Sequence, residues 1–244
     1  MKLINWVKSE LEDYKILLRA IPSSVVVLFC TSVVMMNLLA NKEVVTGFDW
    51  LRLDCGFFLS WMSFLGMDII TKRFGPKASI KISIFAISIN LLVCLINFII
   101  IHIPGNWATF YDFGESANLA LNATFGGTWY VLLGSTTAML VSSIVNSTIN
   151  FTLGKMFTHT SKTEFMVRSY VSTFIGQFID NLIFATMVSY VFFGWTPIQV
   201  VICALTGAIA ELLCEVIFSP IGYRISKNWE SEKVGQEYVD HSTL

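Results

Sequence analysis

Six apolar runs follow one another along the chain, at roughly 22–41, 54–72, 79–103, 128–153, 168–193 and 197–222. Each is about the ~20 residues needed to cross a bilayer as a helix. Inside hydrocarbon every backbone N–H and C=O must be bonded within the segment, so such runs fold as helices. The expected class is therefore an all-α integral membrane protein with six transmembrane helices. Composition agrees with this. Charged residues are 14% of the chain and hydrophobic ones 55%, with mean hydropathy +0.67, whereas a soluble domain carries about 25% charged residues. The sequence divides into an amphipathic cytoplasmic or interfacial segment at 1–21, a six-helix membrane domain at 22–226 and a polar cytoplasmic tail at 227–244.

The breaks between runs are turn signals: Gly75-Pro76, Pro104-Gly105-Asn106, and Gly194-Trp195-Thr196-Pro197. The second run is the weakest, being short and carrying Asp54 and Asp68. All of the 16 basic residues except Lys42 and Arg52 fall on one side of the expected topology. Cytoplasmic loops carry the basic excess, so both termini are placed in the cytoplasm of a multi-pass cell (cytoplasmic) membrane protein. An even number of spans agrees. Residues 1–20 put Leu3, Val7, Leu11, Tyr14 and Leu18 on one helical face, as an interfacial helix does. The connection 104–127 is aromatic, with Trp107, Phe110, Tyr111 and Phe113, and is expected at the membrane interface.

Several chemistries lack their residues. The net charge is −1, so no basic surface invites nucleic acid. Cys30, Cys55, Cys94, Cys203 and Cys214 form no CxxC pair and read as small packing residues, with no metal and no cofactor expected. The chain has no P-loop, GxSxG, HExxH or GxGxxG motif, so neither an enzyme nor an ATP-driven pump in its own right is indicated.

What needs explaining is polarity inside the runs. Ser169, Ser172, Thr173, Gly176, Gln177 and Asp180 recur at three- and four-residue steps, with Asn181 at the edge of that face. Comparable stripes hold Ser135, Ser142, Ser143, Asn146 and Asn150; Ser79, Ser83, Asn90 and Asn97; Ser60, Ser63, Asp68 and Thr71; and Gly207, Glu211, Cys214 and Glu215. Five polar faces imply a shared, hydrated interior. Serine and threonine commonly serve only helix packing, and asparagine serves either packing or ligands. A carboxylate in hydrocarbon costs ~2.5–3.5 kcal/mol on insertion scales, so Asp180 points to function. Asp68 has two readings, a functional one and pairing with Lys72 one turn on. Glu211 and Glu215 lie one turn apart and would repel if both were ionised; they are proton-coupling candidates unless one pairs with a basic residue. Phe64-Leu65-Gly66-Met67-Asp68 echoes Phe174-Ile175-Gly176-Gln177 with Asp180, and Asn37 ends the first run as Asn150 ends the fourth. This echo is compatible with two inverted three-helix repeats.

The stretch Arg168-Ser169-Tyr170-Val171-Ser172-Thr173-Phe174-Ile175-Gly176-Gln177-Phe178-Ile179-Asp180 resembles the signature of the queuosine-precursor transporter family, also called the vitamin uptake transporter (VUT) family. Met67–Gly75, Leu121–Thr128 and Phe218–Tyr223 resemble three further segments of that family in the same order. Departures are Lys72 where members often carry an acid, Trp129 and Tyr130 where they often carry an arginine, and Glu211 and Glu215 where a lysine is common early in the last helix. The resemblance implies six membrane helices and import of a 7-deazaguanine-type base: a cyano base, an aminomethyl base or queuine. On that reading Asp180 accepts the paired N–H donors of a guanine-like edge, Gln177 and Asn181 read the neighbouring atoms, and Trp61, Phe64 or Phe174 stacks on the ring. Asp68, Asn37, Asn146 and Glu211 complete the expected substrate-binding set. The implied partners are a small purine-like molecule and the lipid bilayer, with room for a homo-oligomer. The alternative is a substrate-binding component of a vitamin transporter energised by separate ATPase subunits. The basic-residue asymmetry yields a first prediction: in right-side-out vesicles, epitope tags at both termini are protected from added protease until detergent is supplied.

Overall fold

The computed structural model describes residues 2–48, 50, 53–126, 129–157 and 161–242. Arg52, Gly127, Thr128 and the side chains of Lys2, Leu3 and Trp129 lie outside the described residues. Helix α1 (Lys2–Ala20) is followed by α2 (Ser23–Leu39), with Pro22 at the junction. The two axes meet at 107°. A two-residue antiparallel ribbon, β1 (Glu43–Val44) with β2 (Leu53–Asp54), interrupts the all-helical plan in the next connection, pairing Glu43 with Asp54. Then come α3 (Phe57–Phe74), α4 (Pro76–His102), the short α5 (Phe110–Phe113), α6 (Glu115–Gly126), α7 (Trp129–Gly154), α8 (Lys162–Phe184), α9 (Pro197–Ser231) and α10 (Gln236–Ser242). Residues Ala185–Tyr190 prolong α8 as a π-helical turn.

Local chemistry sets these boundaries. Gly75 turns α3 into α4 at φ +85°, a conformation open to glycine, and Pro76 starts α4 without losing a needed donor. The Ser161 hydroxyl accepts from the Glu164 N–H at 3.0 Å and caps α8. Thr196 and Gln199 form a reciprocal capping box ahead of Pro197. In the aromatic connection, the Trp107 indole donates to Asn122 Oδ1 at 2.8 Å and stacks on Phe125, which ties that segment to α6.

Each of the six apolar runs contains a helix. Four stretches are long and apolar enough to cross a membrane: Pro76–His102, Glu115–Gly154, Lys162–Tyr190 and Pro197–Ser231. The bent α1–α2 pair makes a fifth if counted as one span. The protein is thus an all-α multi-pass membrane protein. Helix α3 misses the composition test because Asp68, Lys72 and Arg73 fall within its 18 residues. Its position explains this. α3 packs against α2, α4, α7, α8 and α9, and its residues from Ser63 to Thr71 are almost all buried. A helix sheathed by protein does not need an apolar surface. By contrast, α4 buries one stripe, Ala78, Ser79, Ile82, Ser83, Ala86, Ile87 and Asn90, and exposes Ile84, Leu91, Leu95 and Ile99 elsewhere.

Residues 227–242, expected as a polar tail, form the end of α9, a turn and α10, which packs back on the bundle. Tyr238 of α10 is 1% exposed and meets Phe74 edge-on, and Trp229 tilts onto the same ring. Burial pushes the Tyr238 hydroxyl up to about 12. Arg73 donates to the Val234 carbonyl and to Gln236 Oε1, each at 2.9 Å. Lys81 pairs with Glu10 at 2.8 Å and with Asp13, fixing α1 to α4. Truncating a buried aromatic costs about 3–5 kcal/mol. Tyr238→Ala is therefore expected to lower the melting temperature in detergent and expose the C-terminal helix to limited proteolysis, with Tyr238→Phe close to wild type.

Candidate functional site

Polar side chains inside the bundle sort into three levels along α3, α8 and α9. The outer level is a narrow pocket on the side of the α2–α3 connection, opposite the basic helix ends. It is lined by Asn37 of α2, Asp54 and Ser60 at the start of α3, Ser135 of α7, Asp180, Asn181 and Phe184 of α8, and Cys203, Gly207 and Glu211 of α9, with Phe57 also on its wall. Glu211 is 2% exposed. It accepts from the Ser60 hydroxyl and, at 3.1 Å, from Asn181 Nδ2. Asp180 accepts from Ser142 Oγ at 2.6 Å. Asn37 accepts from the Ser135 hydroxyl while its Nδ2 donates to the Val33 carbonyl at 3.0 Å. Asp54 Oδ1 receives the Gly56 N–H at 2.7 Å. Gly207 makes the α8–α9 approach feasible, since a Cβ there would lie 2.8 Å from Asn181 Nδ2. Three carboxylates and two primary amides thus line the pocket, with no lysine or arginine among its described lining residues.

The middle level is closed. Asp68 is 0% exposed and accepts from Asn146 Nδ2 at 2.9 Å, Ser169 Oγ at 2.5 Å, and Ser172 Oγ and Thr173 Oγ1 at 3.3 Å each. Glu215, also 0% exposed, meets the same Ser169 hydroxyl. Gln177 is wholly buried with neither amide atom bonded, and Asn146 Oδ1 and Glu215 Oε2 are likewise unpartnered. Buried polar atoms without partners are uncommon and mark places where a ligand or water completes the network.

The inner level is an ion network at the basic helix ends. Glu164 receives Lys72 Nζ at 2.8 Å and Arg168 Nη1 at 2.7 Å. Arg168 also donates through Nε and Nη2 to Asn150 Oδ1 at 2.9 and 2.7 Å. Asn150 in turn donates to Ser172 at 3.3 Å, which links the network to Asp68.

The structure therefore divides the residues singled out in the sequence. Asp180, Asn181, Asn37 and Glu211 come together in the pocket. Gln177, Asp68, Asn146 and Glu215 lie one level deeper. Lys72 pairs with Glu164 rather than with Asp68. Trp61 stacks on Phe218 at 4.3 Å and lines an apolar groove between α2, α3 and α9, away from the polar pocket. Phe64 is buried against the backbone of Gly176. The rings at the pocket are Phe57 and Phe184, which sequence reading did not single out. It also passed over Asp54 as a site residue; its placement just before α3 and the following Gly56 were the available signals. Among the described residues, no three His, Cys, Asp or Glu side chains converge as metal ligands.

Removing one partner from a buried ion pair costs about 3–5 kcal/mol, because the remaining charge is left uncompensated. Glu164→Ala strands Lys72 and Arg168 together. It is expected to lower thermal stability clearly more than Lys72→Ala, which leaves Glu164 its arginine; comparison of the two melting temperatures checks this.

No curated protein and no solved structure matches the chain. Residues 54–225 match the family described as "Putative vitamin uptake transporter". That span runs from Asp54 into α9 and takes in residues of all three polar levels, Asn37 of α2 lying outside it. Covering well over half of the sequence, the match places this chain in the vitamin uptake transporter family.

Proposed function

We propose that the protein imports a queuosine precursor or a related purine-like base across the cell membrane, using six spans with both termini in the cytoplasm. Four or five of those spans qualify by composition; α3 is the sixth, kept in the membrane by its neighbours. The pocket carries the reading. A 7-deazaguanine base presents adjacent N–H donors along one edge, and Asp180 is an acceptor suited to two donors at once. Asn181 and Asn37 have both donor and acceptor atoms for the neighbouring carbonyl and ring nitrogens. Phe57 or Phe184, rather than Trp61 or Phe64, takes the ring face. Loading exchanges internal hydrogen bonds, such as Asn181 to Glu211, for bonds to the base and widens the pocket as it does so. Alternating access then carries the base past Gln177 and Asn146.

The pocket also favours a charge. Asp54, Asp180 and Glu211 line it, with no basic side chain beside them among the described residues. A cationic aminomethyl base or queuine gains from them, and the neutral cyano base does not. Glu211 is the residue best placed for this discrimination. Oligomerisation is compatible with the exposed apolar faces of α4 and α9 and is not required by the pocket.

Uptake of the labelled aminomethyl base by proteoliposomes holding only this chain tests the reading. Wild type is expected to accumulate or exchange the base, and Asp180→Asn to lose at least about tenfold of that rate, equivalent to ~1.4 kcal/mol, while remaining folded. Excess cyano base is expected to compete less well than excess aminomethyl base. Normal uptake by Asp180→Asn removes the site assignment. Uptake that appears only when separate ATPase subunits are added favours the binding-component alternative.

A further inference from the structure

We propose that Asp68 and Glu215, joined by the hydroxyl of Ser169, share a single proton, and that this proton crosses the membrane with the substrate. The proposal rests on the import reading for its second half alone; the shared proton stands on geometry.

Ser169 Oγ lies within hydrogen-bond reach of Asp68 Oδ2 and of Glu215 Oε1. A serine hydroxyl has one proton to donate. If it donates to one carboxylate, the other oxygen faces a lone pair unless its own carboxyl carries a proton and donates to Ser169. The two contacts together therefore require one proton on the pair. Its place follows from the remaining partners. Asp68 has the Asn146 amide at 2.9 Å as a further donor and the Ser172 and Thr173 hydroxyls at 3.3 Å, Ser172 also lying 3.1 Å from the Ser169 carbonyl; this surrounding suits a negative charge. Glu215 has one oxygen with no partner at all. The proton sits on Glu215 and the charge on Asp68.

No cation touches either group among the described residues. From α8, Arg168 is directed to Glu164 and Asn150, and Asp180 to Ser142. From α3, Lys72 is held by Glu164. From α9, Glu211 lies one turn outward, bonded to Ser60 and Asn181. α7 presents the neutral Asn146 and Asn150, and α4 presents Ser79 and Ser83. Arg168 acts on Asp68 only through space, from within its own ion network, so removing the proton would leave two negative charges close together against one cation that touches neither.

A second observation joins this site to the pocket. Gln177 lies one helical turn from Thr173, which bonds Asp68, and one turn from Asn181, which bonds Glu211. Both of its amide atoms are unpartnered and buried, as is Asn146 Oδ1, whose Nδ2 is on Asp68. These atoms lie between the two carboxylate levels, where water or incoming substrate would complete them and conduct a proton inward. In the cycle Glu215 takes a proton from the outer side with the base and releases it to the cytoplasm. One proton moves inward per base, and no bond of the base changes.

The test uses proteoliposomes of the full chain and labelled 7-aminomethyl-7-deazaguanine. At one proton per base, an acid-outside step of one pH unit is expected to raise accumulation about tenfold. Glu215→Gln keeps the shape and the Ser169 contact but holds no exchangeable proton. It is expected to retain base-for-base exchange and show no response to the step, whereas Glu215→Ala loses both. A wild type indifferent to the pH step, or a Glu215→Gln protein that still responds, overturns the coupling. Infrared spectra of the purified protein provide a readout free of any base. A carbonyl component of a protonated carboxyl is expected in wild type at neutral pH and is expected to be lost in the wild-type-minus-Glu215→Gln difference spectrum; a difference spectrum without that loss overturns the shared proton. If wild type moves no base while the band behaves as expected, the import reading fails and the proton site stands.

Discussion

A carboxylate remains inside a membrane bundle only where protein donors replace the water it has lost. Asp68 is the point where that condition shapes this structure. Its two oxygens receive a side-chain amide from α7 and three hydroxyls from α8, and it projects from α3, the helix that every other major helix except α1 surrounds. The small residues of the α8 stripe make this geometry reachable. Gly176 lets Phe64 of α3 and Asn146 of α7 approach its backbone, and serines at 169 and 172 put short donors at the interface. Packing and polarity are then one arrangement: the helices close around the acid because the acid needs groups from each of them.

The three polar levels follow from the same helices read along their axes. On α8, Arg168, Thr173 and Asn181 serve the inner, middle and outer levels; on α9, Glu215 and Glu211 serve the middle and outer ones. Membership of the vitamin uptake transporter family gives this ladder a direction in which something travels. The outer level lines a pocket with three carboxylates, the middle is buried and only partly hydrogen-bonded, and the inner is cross-linked by ions.

Much of the fold was legible because lipid-facing surface is chemically monotonous. The runs holding α4, α7, α8 and α9 stood out for that reason, and the turn signals at Gly75-Pro76 and around Pro197 marked real helix ends. The C-terminal segment was not legible, since Trp229, Val234 and Tyr238 are too sparse among charges to read as a packing face. Within the site, periodicity identified the right stripes and missed their depth. Gln177 and Asp180 share a face, yet three residues of helix separate them by about 4.5 Å, enough to put one in the core and the other in the pocket. Aromatic residues were the least legible. Trp61 and Phe57 are four residues apart on α3, and only the positions of α2 and α9 decide which of them meets the pocket.

The sheathed position of α3 bears on how the protein is made. Asp68 sits within α3 and Lys72 and Arg73 in its last turn, and the side chains that serve Asp68 and Lys72, on α7 and α8, are translated later. If the segments enter the bilayer in order of synthesis, Asp68 is therefore without its donors until the C-terminal half is made.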